Sequence, residues 1–313
     1  MKKVLFATTA LVASAGIASA QGVELSGHAE MGIIGGSAIE TQFHTDIDVK
    51  FSMSGETDNG LTFGATIDLD EEGGFGNTNG GPESVFISGS FGTLTMGDTD
   101  GAFDWALTEV AMGSAIADDH TAHAGYNGNA GLDGSHDGQV ARYDYSFGDF
   151  AFAVSAEIND TGVASPALGI GGKYSGDLGG VTLGVGVGYQ TNGVNDIMGI
   201  SLSAAMDNGL SAVINYSDLD GMAFSNTGLG VASRAISSHI GVGVGYTMDA
   251  ITVSANYGVY DGGAAGDLTG FGLAANYDLG GGAVVQAGYG SSQDTAAGGA
   301  DGNSFSLGIA MSF

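Results

Sequence analysis

The side chains able to do chemistry in this sequence are overwhelmingly carboxylates. Between Asp98 and Gly138 the chain places Asp98, Asp100, Asp104, Glu109, Asp118 and Asp119, with no lysine or arginine in the stretch. A second set, Glu24, His28, Glu30, Asp46, Asp48, Lys50, Asp68, Arg142, Asp144 and Lys173, falls at alternate positions of extended segments. Acids that share one water-facing surface attract cations and repel anions, and low-dielectric walls strengthen that field. Loop carboxylates are also the oxygen ligands that calcium takes, so calcium in the acidic loops stays open while no cofactor is required. Asp118-Asp119-His120-Thr121-Ala122-His123 has the residue types of a divalent metal site, but no helix is indicated that would bring both histidines to one face. Gly169-Ile170-Gly171-Gly172-Lys173 lacks the spacing and the Ser/Thr of a phosphate-binding loop. No nucleophile has an assigned base, so the residues do not describe an enzyme.

The elements that carry these groups follow from composition. Glycine contributes 59 of 313 residues, against about 7% on average, which disfavours helices. There are 2 prolines, no cysteine, 6 basic and 35 acidic residues. The absence of cysteine excludes disulfides and thiolate metal sites, and a net charge of −29 excludes nucleic acid as a partner. Lys2 and Lys3, the apolar run Val4 to Ile17 and Ala18-Ser19-Ala20 have the order of a secretory signal. Residues 1–20 are therefore expected to be removed on export. The remaining chain keeps only Lys50, Arg142, Lys173 and Arg234 against 35 acids, and no later stretch has the apolar length of a membrane helix.

Period-two alternation fills residues 21–313. Val23, Leu25, Ala29, Met31 and Ile33 oppose Glu24, Ser26, His28 and Glu30, and Phe43, Ile47, Val49, Phe51 and Met53 oppose His44, Asp46, Asp48 and Lys50. Strands are expected in these two segments, over 61–69, and near 83–90, 93–97, 139–147, 151–159 and 167–175. Eight more are expected near 181–190, 197–206, 210–218, 236–248, 251–260, 268–279, 283–290 and 304–313, which makes sixteen. Short turns such as Asp207-Asn208-Gly209 and Asp249-Ala250 alternate with longer loops, Glu71 to Pro82, Asp98 to Gly138, Asp218 to Ala235 and Ser291 to Asn303. Short turns at one rim and long loops at the other indicate an all-β fold, a transmembrane antiparallel β-barrel. Phe43, Phe147, Phe152, Tyr174, Tyr189, Tyr216, Tyr246, Tyr277, Tyr289 and Phe313 lie on the apolar face near strand ends, where interfacial girdles belong. The opposite face of Gly, Ser, Thr, Asn, Asp and Glu is expected to look onto water.

The chain resembles the alphaproteobacterial general porins of the Rhodobacter type. The likeness is carried by Val23-Glu24-Leu25-Ser26-Gly27, by Met53-Ser54-Gly55 and Gly60-Leu61-Thr62-Phe63-Gly64, by Phe91-Gly92-Thr93-Leu94-Thr95-Met96-Gly97-Asp98, and by Tyr277-Asp278-Leu279-Gly280-Gly281-Gly282. The terminal Phe313 resembles the aromatic read by the barrel-assembly machinery. The resemblance implies a homotrimer of sixteen-stranded barrels in outer-membrane lipid, with the third loop folded into the lumen as the pore constriction. Such porins usually set basic side chains across the constriction from the loop acids, and this sequence has almost none to offer.

Loop three is then the connection 98–138. Phe103, Leu107 and Val110 recur at i, i+4 and i+7, the spacing of a short helix against the wall. Asp98, Asp100, Asp104, Glu109, Asp118 and Asp119 are the acids available to the constriction, although some are expected to cap that helix or face outer water. The second set named above lines the barrel wall by parity. The expected activity is passive diffusion of cations and small hydrophilic solutes through a general porin. A solute-specific outer-membrane channel is the alternative, but a single Trp offers no aromatic track.

Overall fold

The computed structural model describes residues 22–70, 83–117, 123–136, 138–226 and 231–313. Among these the chain forms β1 (Gly22–Gly36), β2 (Gln42–Glu56), β3 (Thr62–Asp70), β4 (Glu83–Gly89), β5 (Gly92–Gly97), β6 (Val140–Phe147), β7 (Phe150–Glu157) and β8 (Ala167–Asp177). It continues with β9 (Val181–Thr191), β10 (Asp196–Met206), β11 (Leu210–Asn226), β12 (Val231–Met248), β13 (Ile251–Asp261), β14 (Leu268–Gly280), β15 (Ala283–Asp294) and β16 (Asp301–Ser312). The sixteen strands pair antiparallel in chain order and β1 pairs with β16, which closes the barrel. Closure leaves no unpaired edge, the condition for a sheet to cross a bilayer. At the seam the Phe313 N–H donates to the Gly27 carbonyl at 2.9 Å and the Gly27 N–H returns a bond at 3.3 Å.

The pleat sorts the side chains as the alternation requires. Leu25 is 64% exposed and Phe43 91% exposed, and such a surface needs lipid or another subunit to cover it. At the β6–β7 turn Phe147 stacks on Phe150 at 5.8 Å, and Phe150 meets Tyr174 at 5.0 Å. That two-residue turn holds Gly148 at φ 59°, the backbone sign that tight hairpins need.

Three expectations are revised. The segment Asp218 to Ala235 is not one long loop. β11 and β12 continue to pair through it, from Met222 opposite Ile236 to Asn226 opposite Val231, after a bulge at Asp220 (φ 48°) and Gly221 (φ 72°). The bulge shifts the pleat phase, so a strict period-two count stops there. Similarly, β15 reaches Asp294 and β16 begins at Asp301, which shortens the connection placed at Ser291 to Asn303. In loop three the helix α1 spans only Ala102–Ala106. Leu107, extended at the helix end, and Val110 beyond it are both buried against the wall, which keeps the apolar contacts without the longer helix. Residues 1–20, the loop 71–82 and the acids Asp118 and Asp119 lie outside the described residues.

Candidate functional site

Loop three is bound to the inner wall along two legs. Outbound, the Ala102 N–H donates to Ser155 Oγ of β7 at 2.8 Å and the Thr108 N–H to Ser201 Oγ of β10 at 2.9 Å. Asn215 of β11 donates to the Thr108 carbonyl at 3.0 Å, and Asn276 of β14 to the Ser114 carbonyl at 2.7 Å. The leg reaches β1, where the Ala117 N–H donates to Glu30 Oε2 at 2.6 Å. On the way back His239 of β12 donates to the Gly125 carbonyl at 2.9 Å, and Gln190 Oε1 of β9 accepts from the Leu132 N–H at 2.8 Å. Glu157 of β7 accepts from the N–H groups of His136 and Gly138, both at 2.9 Å. Polar wall residues thus supply the partners that an irregular backbone needs when it leaves water.

This corrects the expectation that the polar face looks onto water. From β7 round to β1 much of it looks onto loop three, and Gln190, Asn215, Ser217 and Asn256 are buried there. Two wall glycines mark how close the loop comes. A Cβ at Gly243 would fall 1.9 Å from the Val110 carbonyl oxygen, and one at Gly186 would fall 2.0 Å from that of Ala106. An apolar cluster completes the seat, with Phe103, Leu107 and Leu132 of the loop packed on Ile197, Ile236 and Leu268 of the wall. Inward-pointing Ile and Leu break the simple rule that the lumen face is polar. Strand phase marks Ile197 and Leu268, whereas Ile236, three residues from the inward His239, departs from strict alternation.

The pleat also fixes which charges point inward. Glu30 contacts loop three, and Asp46 stands opposite Glu30, Asp48 opposite His28 and Lys50 opposite Ser26, so all share the inner face. Glu24 lies on the same face nearer the turn rim and is exposed. His28 Nε2 and His44 Nε2 sit 3.3 and 3.4 Å from the two Glu30 oxygens. Lys50 pairs with Asp68 across β2 and β3 at 2.8 Å. Arg142 Nη1 donates to the Asp100 carbonyl at 2.6 Å, and its Nε lies 3.5 Å from Asp144. Lys173 Nζ donates to the Trp105 carbonyl at 3.1 Å. Arg234, toward the long-loop rim, grips Asp294 through both guanidinium nitrogens at 2.8 and 2.5 Å.

The loop acids differ in their surroundings. Asp98 and Asp100 are exposed, and Asp98 is nevertheless raised above the usual carboxylate range by partial burial and by Asp100 and Glu83. Burial, then the negative charges of Asp100, Glu109 and Asp133, push Asp104 up to about 8 against the pull of Arg142. Burial also raises Asp133, which the Gly101 N–H and Gln190 partly offset. Glu109 accepts a short hydrogen bond from Tyr126, whose hydroxyl is driven well above its ordinary value by burial and by that carboxylate. Among the described residues no three His, Cys, Asp or Glu are arranged to hold a metal ion.

Comparison with known proteins bears on what such an interior does. The family described as Gram-negative porin matches residues 7–310. A Rhodobacter capsulatus porin is 32% identical over 292 residues, which is 85% of this chain and 93% of that protein. A porin structure refined at 1.8 Å superposes with a TM-score of 0.65 at 26% identity, covering 93% of this chain and 100% of that one. A triple mutant of the Rhodopseudomonas blastica porin superposes with a TM-score of 0.67 over the same shares at 21% identity, a likeness of fold alone.

Proposed function

Because this chain belongs to the Gram-negative porin family, we propose that its outer-membrane barrel is a water-filled, cation-preferring general diffusion channel for small hydrophilic solutes. The observation that supports the preference is the engagement of each of the four basic side chains beyond residue 20. Lys50 and Arg234 are paired with carboxylates, and Arg142 and Lys173 are bonded to backbone carbonyls of loop three. Loop three is tied to β7 through β15 and to β1, with Arg142 of β6 holding its start, and this supports a passage along the wall of β2 to β6. Asp98, Asp100, Asp104 and Glu109 from the loop, and Asp46, Asp48, Asp68 and Asp144 from that wall, are the groups assigned to it.

The same reading includes export through residues 1–20, assembly signalled by Phe313 and a homotrimer, as the family resemblance implies. It requires no cofactor, and calcium is the metal that the loop carboxylates would favour. Purified protein in planar bilayers is expected to give stepwise conductance that rises with salt without saturating. Saturation and block by one solute would instead support a solute-specific channel.

A further inference from the structure

Trp105, the only tryptophan of the chain, lies in α1 with its ring over the Lys173 ammonium, 3.6 Å from Nζ to the ring centroid. The guanidinium of Arg142 stands 5.9 Å from the same ring. The Lys173 Nζ is also bonded to Trp105's own carbonyl, so ring and carbonyl approach the ammonium together. The helix cannot swing away easily, because the Ala102 N–H is bonded to Ser155 Oγ of β7 at 2.8 Å and Ala106 is seated on Gly186. An aromatic face carries the negative end of a quadrupole and holds a cation while shielding it from water.

We infer that Trp105 determines ion selectivity by masking Lys173, so that ions passing α1 meet the loop carboxylates and not the lysine. The inference rests on the channel reading and adds to it a residue that carries no charge of its own. Removing the ring would expose an ammonium beside Arg142, and two neighbouring cations would offset the acids of Asp100 and Asp144. A tryptophan that only narrows the passage would alter conductance and leave the ratio of cation to anion permeability where it was.

The test compares Trp105→Ala, Trp105→Phe and the double variant Trp105→Ala/Lys173→Met in planar bilayers. At 0.1 M KCl, where the Debye length is about 10 Å, Trp105→Ala should lower the cation-to-anion ratio at least about twofold. Trp105→Phe should stay near the wild type, and the double variant should recover cation preference while keeping any gain in conductance. An unchanged ratio in Trp105→Ala, or a double variant as shifted as the single one, overturns the proposal. Tryptophan emission reports independently of conduction: Lys173→Met should shift its maximum and change its quenching by acrylamide, and an unaltered spectrum means that the ring does not cover the ammonium. A wild type that conducts nothing defeats the channel reading, whereas a conducting wild type with these negative results defeats only the role of Trp105.

Discussion

Arg142 on the wall and Asp100 at the start of loop three are joined through the backbone, with Arg142 Nη1 donating to the Asp100 carbonyl oxygen at 2.6 Å. The Arg142 guanidinium therefore anchors the loop, and the Asp100 carboxylate stays exposed. Lys173 repeats the arrangement at the Trp105 carbonyl. A hydrogen bond to a carbonyl does not neutralise a cation, but it fixes the charge against the wall. Acids that face water then dominate the field along the passage.

Asp104 should make the preference depend on pH. With its carboxyl pushed up to about 8 by burial and by Asp100, Glu109 and Asp133, the group is largely protonated at pH 7 and gains its charge on passing pH 8. Cation preference is expected to rise between pH 7 and 9, and Asp104→Asn should flatten that rise. Folding takes up a proton at this site, so its contribution to stability falls as pH rises from the ordinary carboxylate range through 8. Reversal potentials measured across that window check the first statement, and a wild-type curve as flat as that of the variant would contradict it.

Two buried histidines tie down the return leg of loop three. His239, 1% exposed, donates from Nε2 to the Gly125 carbonyl, which leaves Nδ1 as an acceptor 3.4 Å from Asn127 Nδ2. His123 Nδ1 likewise accepts from the Gly125 N–H at 3.2 Å. A second proton on either ring would set donor against donor, and burial already holds His123 below its ordinary value. Released, His123 binds a proton that the docked ring does not, so docking weakens as pH falls below about 6.5. Hydrogen exchange over residues 123–136 should speed up at pH 4.5 relative to pH 7 by more than its intrinsic rate accounts for. Equal protection at both values would contradict this.

Gly243 and Gly186 should resist side chains. Because the atoms that a Cβ would strike are the carbonyl oxygens of Val110 and Ala106, the neighbour cannot yield by rotating a side chain. Gly243→Val is expected to cost about 3 kcal/mol or to lift loop three from the wall, giving larger and noisier single-channel steps. Val244→Ala on the lipid face serves as the control. Wild-type steps from Gly243→Val would argue against the seat described above.

The register can be tested at adjacent residues of β2. Val49 stands opposite Gly27 and Leu69 on the outer face, while Asp48 stands opposite His28 on the inner one. Val49→Arg near the midplane should cost about 2 to 4 kcal/mol and lower the yield of folded barrel, whereas Asp48→Asn should assemble normally. Heat-modified mobility on gels reads both, and equal tolerance would reject the register.

Strand number and facing were legible because period-two alternation is a direct record of a two-sided sheet. The count reached sixteen strands without knowledge of which strands pair. It failed at Asp220-Gly221, where a bulge resets the phase, and at Leu107 and Val110, whose helical spacing is satisfied by non-helical backbone lying on a wall. The seat of loop three was less legible. Ser155, Gln190, Ser201 and Asn215 look like ordinary lumen polar residues until the loop backbone that they satisfy is placed. Gly186 and Gly188 lie where the loop comes within contact distance of the wall.

The most direct measurement of the central claim is the zero-current potential of wild-type channels in a planar bilayer under a KCl gradient. A potential of cation-selective sign that diminishes as total salt rises is expected, because the Debye length shrinks from about 10 Å at 0.1 M to about 3 Å at 1 M. A potential of anion-selective sign at low salt would contradict it.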